Sequence, residues 1–130
     1  MREILFRAKR EATNEWVYGY FVKEYDDFQI YVQPQIITRI GREYVNENTL
    51  GQFTGLTDKN GVKIFEGDIV RYGDTIHKVV FEQRNGTAYF GLVYSSIETL
   101  PFGYYQDLRQ LEVIGNIYDN PELIGGEADD

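Results

Sequence analysis

The chain has no cysteine, one histidine, one tryptophan and three prolines. Without cysteine the fold cannot depend on disulfides, thiolate metal ligands or a Cys nucleophile, and a small secreted scaffold is disfavoured. The single histidine, His77, excludes a zinc site built from several histidines. A His-based triad would need Ser and Asp partners that no spacing here locates. There is no Walker A sequence and no Gly-x-Gly-x-x-Gly after a strand, so nucleotide binding has no motif behind it. No apolar run approaches the roughly 20 residues of a membrane helix, and the opening MREILFRAKR alternates charge with apolar residues instead of forming an h-region. These absences predict a soluble, cytoplasmic protein without a cofactor, a metal or a membrane partner.

What is present points to a folded β domain. Hydrophobic residues make up 42% of the chain and aromatics 15%, too apolar for a disordered sequence, because burying Tyr, Phe and Trp offsets the entropy of ordering. At 130 residues, one core is expected: a single β domain over 1–124, followed by an acidic, disordered tail at 125–130. Thirteen Lys and Arg against 21 Asp and Glu give a net charge of −8, which repels phosphate backbones and disfavours nucleic acid as a generic partner. Arg2, Arg7, Lys9 and Arg10 nevertheless cluster at the N-terminal end, with acidic residues crowding the other.

Period-two patterning, which sends alternate side chains to opposite faces of an extended chain, runs through most of the sequence. Glu3–Ala8 reads as a first strand, with 9–14 as its connection. Glu15–Glu24 follows, with Trp16, Tyr18, Tyr20 and Val22 on one face, Val17, Gly19, Phe21 and Lys23 on the other, and Gly19 marking a bulge or bend. Phe28, Ile30 and Val32 form a third stretch that Pro34 is expected to stop by removing a ladder donor. Ile36–Val45 fits one strand broken at Gly41, and Asn46–Thr49 a loop. Asn60-Gly61 is a hairpin signal, because both residues tolerate positive φ, and Gly73-Asp74 and Asn85-Gly86 bound two further strands, Thr75–Glu82 and Thr87–Tyr94. Ser95–Arg109 reads as loop with a possible helical turn from the capping-box spacing of Ser95 and Glu98. Leu111–Tyr118 returns to strand, and Pro121 permits a short terminal turn.

Many short strands between Gly- and Asn-centred turns, with no long helix, imply a mainly β fold: a small barrel or a pair of curled sheets. Three blocks, MREILFRAKREATNEWVYGY, LGQFTGLTDKNGVKIFEGDIVRY and EVIGNIYDNPEL, resemble the YopX family of phage and prophage proteins. The central block carries most of the likeness through Gln52, Thr54, Gly55, Leu56, Asp58, Gly61, Glu66, Gly67, Asp68 and Val70. Lys9 and Arg10 depart from the family, which often has an aromatic and an acid there. The resemblance implies an SH3-like barrel with additional curled sheet or hairpins, a phage or prophage setting in a bacterial host, and no established activity.

Each candidate constellation has a structural reading beside its functional one. Gly67-Asp68-Ile69-Val70 fits the first strand of an SH3-like barrel, with Asp68 accepting turn amides. Asp58, Asn60, Glu66 and Asp68 offer oxygens to a hard cation but lack the spacing of an EF-hand loop. His77, inside a strand, reads as a partly exposed structural residue. The stripe Trp16, Tyr18, Tyr20 is core packing or, alternatively, a stacking platform for single-stranded nucleic acid or a groove for a peptide. Eleven tyrosines are many for one core, so some must reach the surface, where an aromatic patch suggests a protein interface. The expectation is a noncatalytic binding or assembly module that self-associates or engages a host or phage protein, with Trp16, Tyr18, Tyr20, Gln52, Thr54 and Asp58 as its candidate surface. The alternatives are a single-stranded nucleic-acid binder, an acidic inhibitor of a host DNA-binding protein, and an enzyme restricted to carboxylate, Tyr or Lys chemistry.

Overall fold

The computed structural model describes residues 3–84, 86–95, 98–102 and 107–125. Its strands are β1 (Phe6–Arg10), β2 (Trp16–Tyr25), β3 (Tyr31–Thr38), β4 (Gly41–Thr57), β5 (Lys63–Phe65), β6 (Asp68–Tyr72), β7 (Thr75–Arg84), β8 (Thr87–Ser95), β9 (Glu98–Pro101) and β10 (Glu112–Asn116). They form two antiparallel sheets in the orders β1-β2-β3-β4-β5 and β10-β6-β7-β8-β9. Among the described residues the helical content is two 3-10 turns, Leu108–Gln110 and Pro121–Ile124. The chain divides into two compact units, 1–53 and 54–130. Each has its own apolar cluster.

In the first unit β1 pairs with β2 and also with β4, while β3 lies between β2 and β4, so the pairings close in a cycle. Ala8, Val17, Ile36 and Val45 are buried at its centre, with Phe6, Phe21 and Leu50 packed against them. β1 begins three residues and ends two residues later than its alternation suggests, because Lys9 and Arg10 are still paired: Lys9 opposite Trp16 and Asn46, Arg10 opposite Val45. Asn14, at φ 66°, closes the β1–β2 turn. Pro34 does not stop β3. There the strand faces only β2, opposite Lys23, since pairing with β4 begins at Gln35, and a one-sided position tolerates a residue without a donor. Phe28 and Ile30, expected in that strand, instead sit in the β2–β3 turn. Ile36–Val45 is two strands, turning at Arg39 and Ile40 before Gly41. Asn46–Thr49, expected as loop, is a bulge inside β4: the partners of β1 jump from Gly51 to Asn46 across Ala8. Thr49 Oγ1 accepts from the Lys9 amide at 2.8 Å and donates to the Asn46 carbonyl at 2.7 Å, replacing ladder bonds that the bulge interrupts.

The second unit is a meander of β6, β7, β8 and β9, with β10 returning beside β6. Its core is Ile64, Val70, Val79, Leu92 and Leu111. In the segment expected as loop with a possible helical turn, Ser95–Arg109, residues 96–97 and 103–106 lie outside the described residues, and the helical turn that is described begins at Leu108. β8 runs through Ser95, and Glu98–Pro101 is an edge strand against it, where Pro101 ends the strand without leaving a ladder unfilled. The Asn85 half of the expected Asn85-Gly86 turn, and residues 126–130 of the expected tail, lie outside the described residues.

The Asn60-Gly61 turn joins β4 to β5, with Gly61 at φ 81°, a conformation glycine adopts without a Cβ clash. Asp58 organises it. One carboxylate oxygen accepts the Asn60 and Val62 amides at 2.8 and 2.9 Å, and the other accepts the Val113 amide of β10 at 2.8 Å. Burial pushes the Asp58 carboxyl up, but the amides of Val113, Val62 and Asn60, with Lys59 nearby, outweigh that and hold it below its ordinary value. Asp68 plays the similar part expected of it, accepting the Phe65 amide at 2.7 Å.

A carboxyl with a folded value below its unfolded one contributes stability that is present above the ordinary carboxylate range and lost as pH falls through the depressed value. Asp58→Asn presents an amide donor to at least one backbone amide, and should cost about 2–3 kcal/mol at neutral pH. The gap between the melting curves of the two proteins should narrow as the pH is lowered below the carboxylate range. Equal melting at pH 7 would contradict the role given to Asp58.

Candidate functional site

The strand that carries the aromatic stripe changes partner in its middle. Up to Gly19 it pairs with β1 (Phe6 opposite Gly19), and from Tyr20 onward with β3 (Tyr20 opposite Ile37). A Cβ built on Gly19 would lie 2.1 Å from the Ile37 carbonyl oxygen, so the bend expected at Gly19 is a close approach of two backbones that only glycine permits. Val17 and Phe21 turn inward to the core. Tyr18 and Tyr20 turn outward, 47% and 64% exposed.

Packing as core, the commoner fate of such a stripe, is therefore not that of Tyr18 and Tyr20. They line a groove of about 700 Å³ with Glu3, Ile4, Leu5, Gly19, Ile37, Thr38 and Arg39. A second depression shares Tyr18, Thr38 and Arg39 and extends the surface to Val17, Ile40, Arg10 and Glu43. The β3–β4 turn holds its end of the groove in place: Thr38 Oγ1 accepts the Ile40 amide at 3.2 Å and donates to the Gly41 carbonyl at 3.0 Å. Ile40 is thereby presented 92% exposed. Arg10 is engaged by Glu43 at 2.9 Å and Glu15 at 3.1 Å. Arg39 is exposed and has no ion-pair partner among the described residues. The result is a mostly apolar, aromatic groove with Glu3 in its lining and Arg39 without an ion-pair partner among the described residues, a form suited to an apolar side chain whose neighbouring acid can reach Arg39.

The other candidate residues lie elsewhere. Trp16 shares the outward face, but the Arg7 guanidinium lies 4.5 Å and the Lys9 ammonium 5.4 Å from its ring centroid, a cation–π arrangement that engages the ring. Gln52 sits on β4 opposite Phe6. Thr54 is buried, donating to the Ile64 carbonyl at 2.8 Å, and both Asp58 oxygens are taken by amides; these two are architectural. His77, expected partly exposed, is 5% exposed. Its Nδ1 lies 3.1 Å from the Val93 carbonyl, its Nε2 2.8 Å from Thr75 Oγ1, and its ring against Tyr94. Because a carbonyl only accepts, Nδ1 carries a proton. Bonding at both nitrogens is what makes its burial tolerable. Among the described residues no three His, Cys, Asp or Glu are placed to hold a metal ion, and no helix is long and apolar enough to cross a membrane.

No motif or composition singles out Ile4, Ile37 or Arg39. Ile4 precedes the strand that its alternation places it in. Arg39 lies in a segment whose hairpin signal, Thr38 and Gly41 flanking two residues, is weaker than Asn-Gly.

Gly19→Ala should destabilise the protein by about 3 kcal/mol, the upper end of the overpacking range, since the colliding atom is backbone and cannot turn aside. Tyr20→Ser, one residue away, should change stability by only about 0.5 kcal/mol. Chemical denaturation of the two variants checks the pair, and comparable losses would place Tyr20 in the core after all.

A crystal structure of protein EF1440 from Enterococcus faecalis is similar, with a TM-score of 0.53 at 24% sequence identity, covering 95% of this chain and 99% of that one. At that identity the likeness speaks for the fold. No curated protein matches. The family model of the YopX protein matches residues 5–125, a span that contains the Asn60-Gly61 turn, the Gly67-Asp68 strand entry and both Tyr18 and Tyr20, and the chain belongs to the YopX family.

Proposed function

We propose that this protein is a phage- or prophage-encoded, noncatalytic binding or assembly module of the bacterial cytoplasm, and that its working surface is the Tyr18–Tyr20–Arg39 groove. The observation that carries the reading is an exposed apolar groove with rigid walls and an uncommitted arginine, in a unit whose own charge is nearly balanced. Residues 1–53 hold seven Lys and Arg against eight Asp and Glu, net −1, while residues 54–130 hold six against thirteen, net −7. The groove is thus the part of the chain least repulsive to an acidic partner. Its occupant on this reading is a protein segment with apolar side chains flanked by acids, entering between the tyrosines and pairing with Arg39.

We further propose that the second unit is an SH3-like barrel. Support comes from its five-strand meander, in which the last strand returns beside the first, and from Asp68 capping the turn at Gly67.

Titrating isotope-labelled protein with peptides of matched length should shift the resonances of Tyr18, Tyr20 and Arg39 for an acidic-aromatic peptide, and not for a basic-aromatic or neutral polar one. Salt-dependent displacement of the same resonances by oligo-dT would favour the nucleic-acid alternative instead. No shift at these residues with any probe would sink the groove as the working surface.

A further inference from the structure

At the opposite end of the β2–β3 hairpin lies the complement of the groove. Phe28 and Ile30, 82% and 61% exposed, stand on a turn that is tied down from within. One Asp26 carboxylate oxygen accepts the amides of Phe28 and Ile30, both at 2.9 Å. The Asp26 amide donates to the Ile30 carbonyl, and the Gln29 amide to the Asp26 carbonyl, both at 3.0 Å. Gln29 takes a positive φ of 65° to make this possible. Two large apolar side chains are therefore held out in a fixed geometry, which lowers the ordering cost of inserting them into a partner. Asp26 bonds their amides and Asp27 adjoins Phe28 in the chain, so the tip is an apolar knob with an acidic collar. That collar repels anionic lipid and nucleic acid and suits a protein pocket with a basic rim.

We propose that the occupant of the Tyr18–Tyr20–Arg39 groove is the Phe28–Ile30 tip of a second copy of this chain. The inference rests on the groove being the working surface. The match is one of shape and charge: an apolar knob with an acidic collar meets an apolar socket with a free arginine, placing Asp27 toward Arg39. A chain cannot serve itself. At about 3.3 Å per residue along β2, the tip stands well over one side chain's reach from its own groove. Knob and socket are different patches, so the contact is either exchanged reciprocally between two chains or repeated head to tail. A single such contact is smaller than the roughly 1,200–2,000 Å² of a standard stable interface, so association should be concentration-dependent.

Sedimentation and light scattering of the full chain, over a concentration series reaching millimolar, should give a mass rising to at least twice that of one chain. Phe28→Ser removes the knob and leaves the socket; Arg39→Glu reverses the socket rim and leaves the knob. Both residues are exposed, so each variant should melt as the parent does, and each should weaken association roughly tenfold or more. Mixing the two should restore pairs of one variant with the other, which general loss of folding cannot do. Association of both variants as strong as that of the parent would overturn the proposal. So would a parent that stays a single chain throughout. If, in that second case, acidic-aromatic peptides still shift Tyr18, Tyr20 and Arg39, only the identity of the partner is wrong; if they do not, the groove reading falls with it.

Discussion

Position 19 must lack a side chain, and the architecture of the first unit follows from that. With the Ile37 carbonyl where a Cβ would be, β2 leaves β1 and joins β3 within one residue, which lets four strands pair in a cycle. The same bend fixes which way the neighbours point. Val17 and Phe21 go to the core; Tyr18 and Tyr20 go to the surface on either side of a residue with no bulk. A groove between two tyrosines is the geometric residue of a glycine that two backbones need.

The second unit uses its polar groups differently. Asp58, Asp68 and His77 are buried, and each is matched to hydrogen-bond partners within the protein. For Asp58 the amides of Asn60, Val62 and Val113 outweigh the cost of burying a charge, which makes the carboxylate a clamp between a turn and a strand fifty-five positions later. Groups so fully engaged are poor candidates for chemistry on a ligand. Of the eleven large apolar side chains that stand exposed among the described residues, eight belong to the first unit. Surface that is apolar and close to neutral in net charge suits a protein partner, and it is concentrated there.

Local turn chemistry was the most legible feature of the sequence. Asn60-Gly61, Gly67-Asp68 and Gly73-Asp74 all fall where their conformational preferences place them, because a turn is decided by a few adjacent residues. The misread elements are those decided by a neighbour. Pro34 looks like a strand breaker until β4 is known to begin its pairing one residue later. Asn46–Thr49 looks like a loop until Thr49 is seen substituting for the ladder bonds of a bulge. His77 looks half-exposed until Val93 and Thr75 are found to satisfy both its nitrogens.

The alternation of Trp16 to Val22 by itself established that two faces exist and that tyrosines share one of them, since period two is a property of any extended chain. It could not say which face is inside. Aromatic Tyr18–Tyr20 and aliphatic Val17–Phe21 are both apolar enough to form a core, and the choice depends on what the rest of the fold brings to each side. Tertiary structure made that choice through Ala8, Ile36 and Val45, which meet Val17, and through Ile37 and Arg39, which frame the tyrosines and leave them open to solvent.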